Sequence, residues 1–194
     1  MLVAYNYASP EYRKLVLEND LKVILVSDEK YNKSSASMNV VVGSLSDPES
    51  SQGLAHFLEH MLFLGTEKYP DVDEYSTYLR TFGGYSNAYT ASDHTNYQLQ
   101  VLPDGFEGAL DRFAQFFISP LFTPEYTARE VNAVNSEHQK NIMSDNWRHH
   151  QILNQFVKEG HPARKFSTGN LETLGDITSE ELVNFYNSNY SSNR

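Results

Sequence analysis

The sequence predicts an α+β domain: an antiparallel or mixed sheet with helices packed on one face. Two observations carry that expectation. Short runs with strand character gather near the start, and runs with a 3.6-residue apolar period dominate the later part of the chain, so strands precede helices. The chain has 194 residues, 40% hydrophobic and 13% aromatic, which is enough to bury a core and excludes a disordered segment.

Taken in order, residues 12–18 and 21–26 are extended runs around Asn19-Asp20 and read as a hairpin. Residues 36–43 are rich in β-branched side chains and read as a third, buried strand. The Ser-, Asp- and Pro-rich stretch 44–51 reads as a loop. A helical pattern spans 52–64, and Gly65 can end it. A shorter helix over about 72–82 takes Asp71 as its N-cap and ends at Gly83-Gly84, a turn rather than a phosphate loop because no Lys-Ser/Thr comes after it. Strand-like runs occupy 85–90 and 95–101. Asp104-Gly105-Phe106-Glu107 reads as a capping box, opening a helix with the core stripe Phe106, Leu110, Phe113 and Phe117, and Pro120 lies just past its end. Pro124 suits the first turn of the next helix, which runs through Glu137 to about Met143. Another helix covers about 145–158, with Ile152, Phe156 and Val157 apolar. Thr178-Ser179-Glu180-Glu181 is a second capping box, before a last helix that ends near Asn189.

Composition narrows the function. The formal net charge is −10 and the isoelectric point about 5.1, which argues against a nucleic-acid partner. With no basic face, the 13 Tyr and 11 Phe read as core rather than as a base-stacking platform. Cysteine is absent, so disulfides, thiolate metal sites and a cysteine nucleophile are excluded. No run of 18 apolar residues occurs, so no membrane partner is expected. Residues 1–12 lack the basic flank of a leader, and the cytosol is the default compartment.

The chemistry concentrates in His56-Phe57-Leu58-Glu59-His60. On a helical wheel Leu54, Phe57, Leu58 and Met61 fall within about 100° of one another and form one apolar stripe. His56, Glu59 and His60 share the opposite face. Histidines at i and i+4 have Cβ atoms about 5–6 Å apart, close enough for one zinc ion to bridge, and Glu59 is displaced to the side, beside the metal rather than on it. A catalytic zinc needs a third protein ligand. Glu130 and Glu137, seven apart in a later helix, project within about 20° of each other beside the stripe Val131, Val134, His138 and Ile142. Either one can reach the metal while the other assists. His138, on that stripe, reads as a core histidine, and His149-His150 beside Trp147 as a helix-surface pair. His94 likewise reads as a non-ligand.

The segment Gly53 through Thr66 resembles the inverted zinc motif, His-x-x-Glu-His, of the pitrilysin or insulinase family of metallopeptidases. Ser86-Asn87-Ala88-Tyr89-Thr90, His94-Thr95-Asn96-Tyr97, residues 110–117 and residues 130–141 are similar to that family too, so the likeness covers nearly the whole chain from about Tyr12 onward.

The resemblance implies an inverzincin-type metallopeptidase domain with one Zn2+ per chain held by His56, His60 and Glu137. It makes Glu59 the general base and Glu130 a supporting carboxylate near the site. It puts Asn87 and Ala88 on the strand that pairs with the substrate backbone, next to Tyr89, where the family often has phenylalanine. The expected partners are peptide substrates and the remaining half of a longer enzyme. Residues 1–194 would make up most of an N-terminal zinc-binding peptidase domain, the first of about four homologous units, and by itself such a piece would cleave weakly or not at all. The alternative from another class is a catalytically silent peptide-binding or scaffolding subunit, against which the intact His56, Glu59, His60 and Glu137 argue.

Overall fold

The computed structural model of the chain describes residues 10–193. The reading of residues 1–12 as lacking a leader lies almost wholly outside them. Strands β1 (Glu11–Val16) and β2 (Lys22–Ser27) pair antiparallel as the expected hairpin, with Val16 opposite Lys22. Asp20 takes the left-handed conformation at its turn, at φ 66°, which a short polar side chain tolerates.

A second, three-stranded antiparallel sheet has the order β3 (Ser34–Val40), β5 (Thr95–Val101), β4 (Tyr85–Thr90). The mixed alternative is thereby set aside in favour of two antiparallel sheets. On the central strand Thr95, Tyr97, Leu99 and Val101 all point into the core. The third strand, expected to be buried throughout, instead alternates, with Ser35, Ser37 and Asn39 exposed. The reason is that the helices cover one face of the sheet only, which imposes a period of two.

Helix α1 (Leu54–Met61) runs beneath the sheet with Leu54, Phe57, Leu58 and Met61 buried, the stripe that the wheel predicts. Its start is held by Asp47, whose carboxylate accepts the Gly53 and Ala55 N–H groups at 2.8 Å each. Helix α2 (Glu74–Thr81) begins later than expected; Asp71 accepts the Asp73 N–H at 2.9 Å in the turn before it. Helix α3 (Phe106–Gln115) has no Asp104 cap. Pro103–Gly105 winds into a 3-10 turn that feeds the helix directly, so Asp104 lies inside that turn. The buried face of α3 is formed by Ala109, Phe113 and Phe116, and Leu110, expected in the core stripe, is exposed.

Helix α4 (Pro124–Asn141) starts at Pro124 as expected and buries Val131 and Val134. Helix α5 (Asp145–Gln155) has no buried residue; the apolar Ile152 within it and Phe156 just past its end are exposed. A one-turn helix α6 (Leu171–Leu174), not foreseen, is capped by Asn170 and Thr173. Helix α7 (Ser179–Asn189) carries the expected Thr178–Glu181 capping box and buries Leu182, Phe185 and Tyr186. Among the described residues no helix is long and apolar enough to cross a membrane.

Candidate metal centre and catalytic site

Helices α1 and α4 pack against each other, and their polar faces meet. The Nε2 atoms of His56 and His60 lie 3.2 Å apart. Glu137 Oε2 stands 3.6 Å from each of them. Glu130, two turns earlier on α4, reaches behind His60 instead, with Oε1 2.8 Å from Nδ1. The pair left open by spacing is thus separated by packing: Glu137 faces both imidazoles and Glu130 backs one of them.

The hydrogen bonds fix the tautomers. His56 Nδ1 lies 2.7 Å from the Thr168 carbonyl oxygen, which can only accept, so Nδ1 carries the hydrogen and Nε2 the lone pair. His60 Nδ1 donates to the Glu130 carboxylate in the same way. Two ring lone pairs and a carboxylate oxygen therefore converge on one point. Three donors in tetrahedral array around zinc, with bonds of about 2.0–2.1 Å, stand about 3.3–3.4 Å from one another. The observed separations of 3.2, 3.6 and 3.6 Å fit that ion.

Without a cation a proton takes its place. Burial opposes charge on His60, but the Glu130 and Glu137 carboxylates outweigh it and raise its pKa to about 9. The hydrogen bond from His60 holds Glu137 down at about 2 against the opposing effect of partial burial.

Glu59 is 7% exposed because the end of β4 lies over it. Burial raises its pKa, and the Thr90 hydroxyl and the two imidazoles pull back against that rise. A carboxyl whose burial favours the protonated form suits proton transfer. Glu59 lines the same cavity of about 380 Å3 as His56, His60 and Glu137.

The other expected residues also gather here. Asn87, Ala88 and Tyr89 line the cavity from β4, and among the described residues nothing pairs with the outer edge of that strand. His94 lies apart, bonded to Asp93 at 2.7 Å and near the Tyr89 hydroxyl at 3.3 Å. His138 is half-buried and edge-on to Phe166, at the wall of a groove rather than in the core. His150 stands edge-on to Trp147 on the helix surface, and Trp147 itself lines the cavity. Sequence reasoning missed Thr90, Asp47 and Thr168. Thr168 acts through its backbone carbonyl, for which no side-chain signature exists; Asp47 caps a helix six residues downstream, beyond the usual capping distance.

The family model "Insulinase (Peptidase family M16)" matches residues 22–160. The chain is 53% identical, over 94% of its length, to insulin-degrading enzyme-like 2 of Arabidopsis thaliana. It is 52% identical, over the same share, to the insulin-degrading enzyme of Homo sapiens. The crystal structure of pitrilysin superposes with a TM-score of 0.92 at 41% identity over 97% of the chain. The chain spans only 20%, 19% and 20% of these three proteins respectively.

Proposed function

Because the chain belongs to the insulinases, peptidase family M16, we propose that it carries the metal and the general base of a zinc-dependent metalloendopeptidase. His56, His60 and Glu137 would hold one zinc ion per chain, a two-histidine, one-carboxylate set that keeps a fourth position open. A zinc ion held there would supply polarisation of the scissile carbonyl and a water molecule acidic enough to serve as nucleophile near neutral pH.

The chain's own residues do the rest. Glu59 takes the proton of the attacking water and passes it to the leaving amine. Glu130 and the Thr168 carbonyl hold the two imidazoles in the tautomer whose Nε2 faces inward. The open edge of β4 receives an extended peptide through backbone hydrogen bonds at Asn87 and Ala88, with Tyr89 beside them. That mode binds short peptides and unfolded segments of many sequences. Residues 1–194 form most of the first of about four homologous units of a longer enzyme, a reading supported by the fifth of each relative that the chain spans. The rest of that enzyme is its partner in cleavage, and the chain alone is weakly active or inactive. The cytosol is the compartment proposed, supported by a cysteine-free composition suited to reducing surroundings.

The convergence of His56 Nε2, His60 Nε2 and Glu137 Oε2 carries this reading. Its test is metal analysis together with cleavage of a fluorogenic peptide by the full-length protein. One zinc per chain, lost in His60→Ala, and a Glu59→Gln variant that keeps zinc but loses cleavage are the expected results. A Glu59→Gln protein that cleaves at the parental rate overturns the assignment.

A further inference from the structure

Resting on that reading of Glu59, we infer that Thr90 is a positioning residue for its carboxylate: the hydroxyl anchors Oε2 and leaves Oε1 to take the proton of the water. Thr90 closes β4, and its Oγ1 lies 2.6 Å from Glu59 Oε2. The neighbours set the direction of this bond. Thr95, fully buried and paired opposite Thr90 in the sheet, donates its hydroxyl hydrogen to the Val42 carbonyl at 2.8 Å. It has no second hydrogen for Thr90, whose oxygen stands 3.3 Å away.

The Tyr190 and Tyr97 hydroxyls bond each other at 2.7 Å. The single hydrogen of Thr90 thus has two acceptors in reach, and Glu59 is both the nearer and a carboxylate. Among the described residues no hydrogen bond reaches Oε1 of Glu59. The anchor itself is rigid: Thr90 is β-branched, so χ1 is restricted, and the Thr90–Thr95 register fixes its backbone. Holding one oxygen leaves the carboxylate a single orientation relative to the two histidines of its own helix, and small errors in such an orientation cost rate.

The test uses the zinc-loaded full-length protein. Thr90→Val keeps the shape and the strand preference and lacks the hydroxyl; Thr90→Ser keeps the hydroxyl. The Val variant is expected to lower kcat about tenfold, the worth of one hydrogen bond to a charged group, with KM unchanged within about twofold. The Ser variant restores kcat to within about threefold of the parent, an effect that a merely structural role would not produce. Adding Thr90→Val to Glu59→Gln costs nothing further if Thr90 acts through Glu59. In a crystal structure of the Val variant the Glu59 carboxylate moves from the position in which Oε2 faces residue 90. Parental kcat in the Val variant, a Ser variant as slow as Val, a further loss in the double variant, or an unmoved carboxylate overturns the proposal. Where Thr90→Val does not fold, Thr90→Ala takes its place. A Glu59→Gln protein at parental kcat instead overturns the role of Glu59 itself, which separates the two failures.

Discussion

Gly53 and Gly169 lie back to back: a Cβ built on Gly53 would stand 2.4 Å from the Cα of Gly169. Both adopt positive φ, 90° and 83°. The contact presses the loop before α6 onto the start of α1, and it is this approach that brings the Thr168 carbonyl to His56 Nδ1.

Gly53→Ala is therefore expected to cost stability twice, through a φ that disfavours a side chain and through a backbone collision. The loss should be about 1–3 kcal/mol from the conformation alone, with more from the collision. Thermal melts and zinc competition should fall together, because the same contact orients His56.

Glu130→Gln keeps the shape behind His60 and removes the charge. Zinc affinity should fall about 10–100-fold while the fold persists. Competition with a chromophoric chelator measures it, and circular dichroism serves as the control. An unchanged affinity would show that Glu130 contributes nothing to holding the imidazole.

Zinc uptake should be strongly pH-dependent. In the metal-free chain the His60 pKa is raised from 6.5 to about 9, so the charged ring stabilises that form fully below about pH 6.5 and the benefit is lost as pH rises through about 9. Glu137 runs the other way: lowered from 4.5 to about 2, it contributes above 4.5, and its share is lost as pH falls through about 2. A cation must displace the His60 proton, so apparent affinity should climb about tenfold per pH unit up to about pH 9. Titration calorimetry in buffers of different ionisation enthalpy should show about one proton released near neutral pH.

The corrected face of α3 can be tested by a pair of truncations. Phe113→Ala removes a ring that is 3% exposed and should cost about 3–5 kcal/mol. Leu110→Ala, at 41% exposure, should cost well under about 2 kcal/mol. Denaturant unfolding of both variants decides whether Leu110 belongs to the core.

Much of the architecture could be read from local chemistry. The ends of β4 and β5 fall at the residues expected, and the Thr178–Glu181 box starts α7 as expected, because each depends on neighbours in sequence. The alternation of β3 is written in Ala36-Ser37-Met38-Asn39-Val40, where apolar and polar side chains take turns, but the β-branched run Val40-Val41-Val42 masks it. What depended on distant partners was hidden. Glu130 and Glu137 share one side of a helix, and only the packing of α4 on α1 tells them apart. Asp104 failed as a cap because Pro103 begins a tighter turn ahead of it. The two histidines and Glu59 were legible because all three belong to a single amphipathic helix.

The donors to the proposed ion come from segments some eighty positions apart along the chain, His56 and His60 early and Glu137 late. An ion spanning them would act as a clasp as well as a reagent, since its binding free energy is shared with the fold. Chelation would then loosen the seam between the two helices before it touched the rest of the molecule, and sensitivity of that seam to proteolysis would report how full the clasp is.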